Sequence, residues 1–259
     1  MTIDGKIKFF GSNNVNADDS FSFTSATEAN AEFLYDRSCS TKLQSSGSDD
    51  STPEVWEITF PGARDIDRVL VANHNIKSGK IEYWNGSAYV AFSPAVTWSA
   101  ETASTNYFEF TSVSITKIRL TMDTTQVVDA EKYVGELLVF KELGTVSRNP
   151  EKANPDYPES SKKYKTSQGG TTYVYFGSKL KIKLDFKQSP QADLTLFRAL
   201  KDRASPFFVY LSGGQTGYTE EGYREQDIYY VNYINSLKYK LSSTLHGSGV
   251  DIKIELAEV

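Results

Sequence analysis

The chain has 259 residues, a mass of 28.9 kDa and a formal net charge of −5, with 39% hydrophobic and 24% charged residues. This balance is typical of a soluble globular protein of one or two domains. A single Cys excludes an internal disulfide framework, and one Cys with two His excludes a four-ligand Cys/His zinc site. The sequence has no long basic run, so we do not expect a nucleic-acid-binding surface.

Neither the N-terminus nor the interior carries a membrane signal. No segment reaches the roughly 18 to 20 apolar residues of a membrane-spanning helix. The first residues, 1–6, lack the apolar region of a signal peptide. We therefore expect synthesis in a cytoplasm without export by the general route, and no membrane insertion.

The first half of the chain predicts a series of short strands. Residues 55–60 alternate, with Trp56, Ile58 and Phe60 on one face, and this period of two is typical of a half-buried strand. Asn85-Gly86 predicts a hairpin turn, because both residues tolerate a positive φ. The other predicted strands of this half are 66–72, 80–84, 107–110, 117–122 and 133–140. Short strands separated by turns indicate a β-sandwich or jelly roll.

The middle of the chain predicts a domain boundary. Three of the eight prolines lie between residues 144 and 158, and proline removes a backbone donor from a β-ladder. Residues 1–141 contain 12 basic and 19 acidic residues, whereas 142–259 contain 16 basic and 14 acidic ones. We predict an N-terminal β-sandwich domain at 1–143, a linker at 144–170 and a β-rich domain at 171–259.

The second half predicts strands and one helix. Residues 179–186 and 251–256 alternate charged and apolar residues, which is typical of strands with one wet face. Ser189 and Pro190 predict a helix start, with Leu194, Phe197 and Leu200 on one face of a helix that runs to Arg203. The predicted strands of this half are 171–176, 180–186, 207–211, 227–234, 237–241 and 250–256. The overall expectation is a mainly β protein of two domains with one short helix.

Catalytic motifs are absent from the sequence. It has no G-x-S-x-G elbow, no P-loop and no H-E-x-x-H. A Cys39–His74 pair and the adjacent carboxylates Glu220-Glu221 or Asp49-Asp50 keep an enzyme as an open alternative, because a nucleophile with a base or two carboxylates would suffice for hydrolysis. We expect no enzymatic activity.

Two kinds of binding site are compatible with the residues. The aromatic surplus, 16 Tyr and 15 Phe with three Trp, favours saccharide stacking, subunit contacts or core packing. Trp84, Tyr89 and Trp98 lie beside turns and are the candidate saccharide-binding residues. The oxygen-rich loop 36–50 has enough ligand atoms for Ca²⁺, although it matches no EF-hand spacing.

Residues 29–140 resemble the discoidin-type, galactose-binding-like jelly roll. The resemblance is carried by residues 30–41, 55–60, 66–71 and 135–140, which follow one another in that family's order. It implies a structural Ca²⁺ near Asp36 and Glu136. Arg37 stands where the family usually has Gly.

Residues 164–259 resemble tail-component domains of tailed bacteriophages, through the stretches 173–176, 206–211, 223–229 and 249–259. The resemblance implies a non-enzymatic structural protein of a phage tail tip or baseplate, located in the virion. Its expected partners are copies of itself, neighbouring tail proteins and host-surface polysaccharide. The candidate assembly residues are aromatic: Phe207, Phe208, Tyr210, Tyr229, Tyr230 and Tyr233. The alternative is a carbohydrate-binding module of a glycan-processing system.

Overall fold

A computed structural model of the chain describes residues 6–38, 41–46, 50–156, 159–165, 171–178, 180–203, 205–211, 228–234, 236–244 and 247–259. These residues form two compact units. Unit 1 comprises residues 11–142, and unit 2 comprises residues 6–10 together with the part of the chain that follows residue 142. No helix within the described ranges is long and apolar enough to cross a membrane.

Unit 1 contains seven strands and one 3₁₀ helix. The helix runs from Glu28 to Leu34. The strands are β2 (Ser20–Phe23), β3 (Leu43–Gln44), β4 (Glu54–His74), β5 (Ile76–Trp84), β6 (Tyr89–Trp98), β7 (Asn106–Thr125) and β8 (Tyr133–Phe140). They form one antiparallel sheet in the order β3-β8-β4-β7-β5-β6, and β2 pairs with β4.

The long strands β4 and β7 make this sheet a sandwich. Their first pairing joins Glu54–Thr59 to Lys117–Met122, and a second pairing joins Arg64–Val71 to Asn106–Ile115 after a register shift. β5 and β2 pair with the first part, and β8 pairs with the second part. Buried side chains from both parts share one hydrophobic core, including Trp56, Ile58, Phe108 and Val139.

Unit 2 is built on a second antiparallel sheet. Its strands are β1 (Lys8–Phe10), β9 (Glu142–Thr145), β10 (Lys152–Asp156), β13 (Lys181–Ser189), β14 (Phe207–Tyr210), β15 (Ile228–Tyr233), β16 (Lys238–Thr244) and β17 (Gly247–Glu258). The order is β10-β13-β17-β15-β14-β1-β9, with β16 paired to β17. Strands β11 (Glu159–Lys165) and β12 (Thr171–Ser178) form a separate two-stranded sheet.

One helix covers the core of unit 2. Helix α1 spans Gln191–Lys201 and buries Leu194, Phe197 and Leu200, three residues at helical spacing. The Phe197 ring packs 5.8 Å from the ring of Phe9 and 5.0 Å from that of Phe186, measured between centroids. The alternating apolar residues of β13 and β17 lie beneath this helix in the same core.

The structure confirms the mainly β fold with one short α-helix. The alternation predicted in β4 is confirmed, because Trp56, Ile58 and Phe60 are buried while Glu57 and Thr59 are half-buried. The Asn85-Gly86 turn is also confirmed, although only Gly86 has a positive φ and the Asn85 side chain instead accepts hydrogen bonds from the backbone of Ser87 and Ala88.

Three predicted boundaries differ from the structure. Residues 144–170, predicted as a linker, contain β10 and β11, and Pro155 is accommodated because β10 lies at a sheet edge. Residues 6–10, predicted within the N-terminal domain, belong to unit 2 because β1 pairs with β14. Helix α1 begins at Gln191 with Pro190 at its N-cap position, whereas Ser189 ends β13.

Candidate functional site

Two of the three predicted saccharide-binding residues form a pair on the outer face of unit 1. Trp84 ends β5 and lies directly opposite Tyr89 at the start of β6. Their ring centroids are 5.3 Å apart and the rings meet edge to face. Both side chains are half-buried. They point outward because Ile81 and Phe92, which alternate with them on β5 and β6, point into the core.

Two cations of β7 flank this aromatic pair. The Lys117 ammonium lies 5.7 Å from the centroid of a Trp84 ring, and the Arg119 guanidinium lies 3.9 Å from that of Tyr89. Both contacts are within the range of cation–π attraction. We call Trp84, Tyr89, Lys117 and Arg119 the aromatic patch.

Carboxylates of the neighbouring strands hold Arg119 in place. Arg119 faces Glu57 on β4 and Glu82 on β5, and its Nη2 donates to Glu82 at 2.9 Å. Although burial opposes ionisation, Arg119 and Lys80 keep the pKa of Glu82 below its ordinary value. Burial, with the nearby Glu57, raises the pKa of Tyr89 to about 12, so this phenol stays protonated at neutral pH. The patch therefore carries fixed donors and acceptors beside its rings.

Trp98 lies apart from the aromatic patch, at the far end of β6. It pairs with Gly79 at the beginning of β5, whereas Tyr89 pairs with Trp84 at its end. The Trp98 ring is half-buried, lies 5.5 Å from Phe108 and 6.3 Å from His74, and contacts the core of unit 1. The three predicted residues thus do not form one site, because Trp98 lies at the opposite end of β6 from Tyr89 and Trp84.

The predicted metal ligands Asp36 and Glu136 do come together. The backbone N–H of Ser38 donates to Asp36 Oδ1 and to Glu136 Oε1, each at 2.8 Å. The turn that brings them together places Arg37 at φ 65°, a conformation that favours the Gly the family usually has there. Burial, with the nearby Asp36, raises the pKa of Glu136 to about 8.

The Glu136 carboxyl of this pair keeps its proton near neutral pH unless a cation lies beside it, because burial and Asp36 raise its pKa. Among the described residues, the buried Oε2 of Glu136 accepts no hydrogen bond. Either a proton or a cation would satisfy it, and hard carboxylate oxygens are the ligands that Ca²⁺ takes. The pair therefore fits part of a Ca²⁺ site. The described residues contain no group of three or more His, Cys, Asp or Glu side chains that could hold a metal, so the other ligands would be backbone oxygens or water.

The residues of the enzyme alternatives lie only partly within the described ranges. His74 is buried, and its Nδ1 accepts a hydrogen bond from the backbone N–H of Ile76 at 3.1 Å. Asp50 accepts hydrogen bonds from Thr125 at 2.9 and 3.0 Å, as a loop-closing residue does. The remaining candidate residues, Cys39, Asp49, Glu220 and Glu221, lie outside the described residues.

The predicted assembly residues are largely inside unit 2. Phe207, Phe208 and Tyr210 are 1%, 5% and 3% exposed, and Phe207 lies in the hydrophobic core of unit 2. These three rings are therefore buried in the single chain, and their role in assembly stays a prediction. Tyr229, Tyr230 and Tyr233 of β15 are half-buried, and the first and last of them pack against the core.

Sequence reasoning missed Lys117 and Arg119. Their place in the patch depends on the pairing of β7 with β5 and β4, which joins residues 37 and 62 positions apart in the chain. One signal was available: Lys117 and Arg119 alternate with the apolar Ile118 and Leu120, so both cations had to lie on the outer face.

No protein-family model and no curated protein matches the sequence. Among solved structures, the chain is similar to a chitosan-binding module of a Paenibacillus chitosanase/glucanase, with 15% identity and a TM-score of 0.43 over 50% of this chain and 98% of that one. It is also similar to a putative α-L-fucosidase of Bacteroides thetaiotaomicron, with 16% identity and a TM-score of 0.44 over 51% of this chain and 29% of that one. A family 32 carbohydrate-binding module of Clostridium perfringens NanJ, in complex with galactose, has 16% identity and a TM-score of 0.40 over 52% and 99%. At TM-scores below 0.5, these similarities carry no conclusion about the function of this chain.

Proposed function

We propose that unit 1 binds a saccharide without reacting with it, at the aromatic patch. The observation that carries this proposal is the half-buried Trp84–Tyr89 pair with Lys117 and Arg119 beside it on one outer sheet face. A sugar ring presents an apolar C–H face surrounded by hydroxyl groups. An aromatic ring offers the matching apolar surface, and neighbouring charged groups exchange hydrogen bonds with hydroxyls.

The rigidity of the patch supports the same proposal. Ion pairs with Glu82 at 2.9 Å and with Glu57 at 3.9 Å restrain the Arg119 guanidinium before any ligand arrives. The Asn85–Ala88 turn that joins the two aromatic residues is closed by a backbone hydrogen bond of 3.0 Å. A preformed site loses less side-chain entropy on binding, which favours affinity for a flexible oligosaccharide.

Binding of the full chain to a glycan array, followed by calorimetry with the best ligand, tests the proposal. We expect Trp84→Ala to weaken binding about tenfold or more, in line with the loss of a central aromatic anchor. Tyr133→Ala is the matched control, because it also removes a half-buried ring with a cation over it, Lys42 at 3.9 Å, but lies on β8.

Two results would contradict saccharide binding at the patch. One is an array without a reproducible ligand. The other is equal weakening by Trp84→Ala and by the control. Trp98→Ala separates the predicted residues further: because Trp98 packs on Phe108, we expect that variant to lose stability before it loses affinity.

Calcium is the cofactor that this proposal includes. Asp36 and Glu136 would be its carboxylate ligands, and the ion would supply the positive charge that the Glu136 Oε2 atom lacks among the described residues. By joining the loop after the 3₁₀ helix to β8, the two carboxylates would tie this end of unit 1 together.

The tail tip or baseplate of a phage stays the biological setting that we propose for such a module. Mass spectrometry of purified virions should detect the chain in a fixed ratio to tail proteins. Its absence from every purified particle would remove this setting and leave the saccharide site to be judged on its own test.

A further inference from the structure

Strand β16 ends the sheet of unit 2 on one side. It pairs along its whole length with β17, and among the described residues β17 is its only partner. The side chains of Lys238, Tyr239, Lys240 and Leu241 are all exposed. An edge of this kind leaves backbone donors and acceptors open to another strand.

One face of β16 lies next to the hydrophobic core of unit 2, at the edge of the part that helix α1 covers. Tyr239 lies opposite Ile252 and Leu241 lies opposite Val250, and opposite residues share a sheet face. Ile252 and Val250 are buried in the core that α1 covers, whereas Tyr239 and Leu241 are 49% and 72% exposed. Helix α1 reaches β16 through Arg198, whose Nη2 donates to the Tyr239 hydroxyl at 3.1 Å and whose guanidinium lies 5.1 Å from the centroid of that ring. This part of the sheet therefore presents apolar surface.

The other face of the same strand carries two rows of charged side chains that run across the sheet. Lys187 on β13 contacts Asp251 on β17 at 3.4 Å, and Asp251 lies opposite Lys240 on β16. In the neighbouring row, Asp185 contacts Lys253 at 3.1 Å, and Lys253 lies opposite Lys238. Both rows end at the edge with an exposed lysine. In the second row this lysine lies opposite another lysine, and a carboxylate added at the edge would offset that like-charge pair.

We propose that β16 binds an extended acidic segment of another protein, which adds a strand to this sheet. Its carboxylates would occupy two alternate positions, opposite Lys238 and Lys240. Two apolar side chains that alternate with these carboxylates would lie on the other face, opposite Tyr239 and Leu241. Backbone hydrogen bonds supply affinity in this mode, and the alternating side chains supply specificity.

Charge decides between this partner and a second copy of the chain. Pairing β16 with itself around a two-fold axis perpendicular to the sheet, in a register centred on Tyr239 or Lys240, would place lysines opposite lysines. Like charges directly opposite one another destabilise a strand pair, whereas opposite charges stabilise it. The edge therefore favours a carboxylate-bearing strand over its own copy.

Peptide binding to the full chain tests this proposal by fluorescence anisotropy. The probe is a fluorescein-labelled, end-capped octapeptide that alternates glutamate with valine and threonine, and the matched peptide carries lysine in place of glutamate. We expect the acidic peptide to bind roughly tenfold tighter, from two cross-strand charge pairs. The double variant K238E/K240E should reverse this preference, which a merely misfolded protein would not do.

Three results would overturn the proposal: neither peptide binds, both bind equally, or the double variant keeps the preference for the acidic peptide. A homodimer that sedimentation detects and that Leu241→Lys dissociates, without any peptide preference, would assign the edge to a second copy instead. If the double variant binds the lysine peptide and not the acidic one, this result would directly support the pairing of Lys238 and Lys240 with carboxylates of the partner.

Discussion

Replacing Glu136 by Gln tests the carboxyl pair of unit 1. The variant keeps the shape of the protonated side chain and removes its ability to ionise. In the folded protein the pKa of Glu136 is raised to about 8 by burial and by Asp36, from an ordinary value of 4.5. Between these two pH values the folded state holds the proton more tightly than the unfolded chain, so the contribution of Glu136 to stability falls as pH rises.

The size of the effect follows from the same interval. At about 1.4 kcal/mol per pH unit, the step from 4.5 to about 8 sets an upper limit of about 5 kcal/mol on the free energy that ionising Glu136 costs the fold. Rearrangement of the site reduces that cost, and we expect roughly 1 to 3 kcal/mol. In chelator, Glu136→Gln should match the original protein near pH 4 and exceed its stability by this amount near pH 9.

Urea unfolding followed by tryptophan fluorescence is the assay. All three tryptophans, Trp56, Trp84 and Trp98, lie in unit 1, so the signal reports that unit. Titrating groups that do not interact with Glu136 are common to both proteins and cancel in the difference, whereas Asp36 contributes to it through its coupling with Glu136. A stability difference that does not change with pH, or that favours the original protein more as pH rises, would refute the reasoning. Millimolar Ca²⁺ at pH 8 should stabilise the original protein and leave Glu136→Gln unchanged.

Three further substitutions test the packing that positions the candidate sites. Gly79→Ala should lower the free energy of unfolding in urea by about 1 to 3 kcal/mol, because the added Cβ would lie 2.6 Å from Thr121 O and 2.8 Å from Trp98 Cζ2. Gly62→Ala is the control and should be neutral, because its Cβ would have no atom within 4 Å. Lys132→Met should cost about 1 to 3 kcal/mol at pH 7, since Lys132 is 2% exposed and lies 3.8 Å from Asp50. Although burial opposes ionisation, hydrogen bonds and Lys132 hold the pKa of Asp50 below its ordinary value, so the loss should shrink only as the pH falls toward about 2. An equal loss at pH 7 and at about pH 2 would contradict the ion-pair explanation. Phe197→Ala should lower the free energy of unfolding, followed by circular dichroism, by about 3 to 5 kcal/mol, because this ring is buried. Thr195→Ala, on the exposed face of α1, should change it little. Similar losses in the two variants would contradict the assigned helix face.

Local patterns in the sequence were sufficient for strands that obey a single periodicity. β8 has the predicted bounds, 133–140, and the charged and apolar alternation of β13 and β17 correctly placed their buried faces. Periodicity failed where a strand bends. β4 was predicted as 55–60 and 66–72, because Pro61-Gly62 and the register shift interrupt its alternation, although the strand continues from 54 to 74.

Long-range pairing explains the remaining differences. All three residues of β1 are buried, so this strand has no alternation to detect, and its partner β14 lies about 200 residues later in the chain. The pairing of Asp36 with Glu136 came from a resemblance to a fold family rather than from any local pattern. The contribution of Arg119 to the aromatic patch depends on the pairing of β7 with β4 and β5, which composition and local periodicity do not predict.

Indole NMR signals measured during a saccharide titration test the proposed function most directly. The chain has three tryptophans, so ¹⁵N-labelling gives three indole N–H signals. With a ligand identified on the glycan array, we predict that the Trp84 signal moves progressively while that of the buried Trp56 stays in place. A ligand that binds the full chain and leaves the Trp84 signal unmoved would contradict saccharide binding at the aromatic patch.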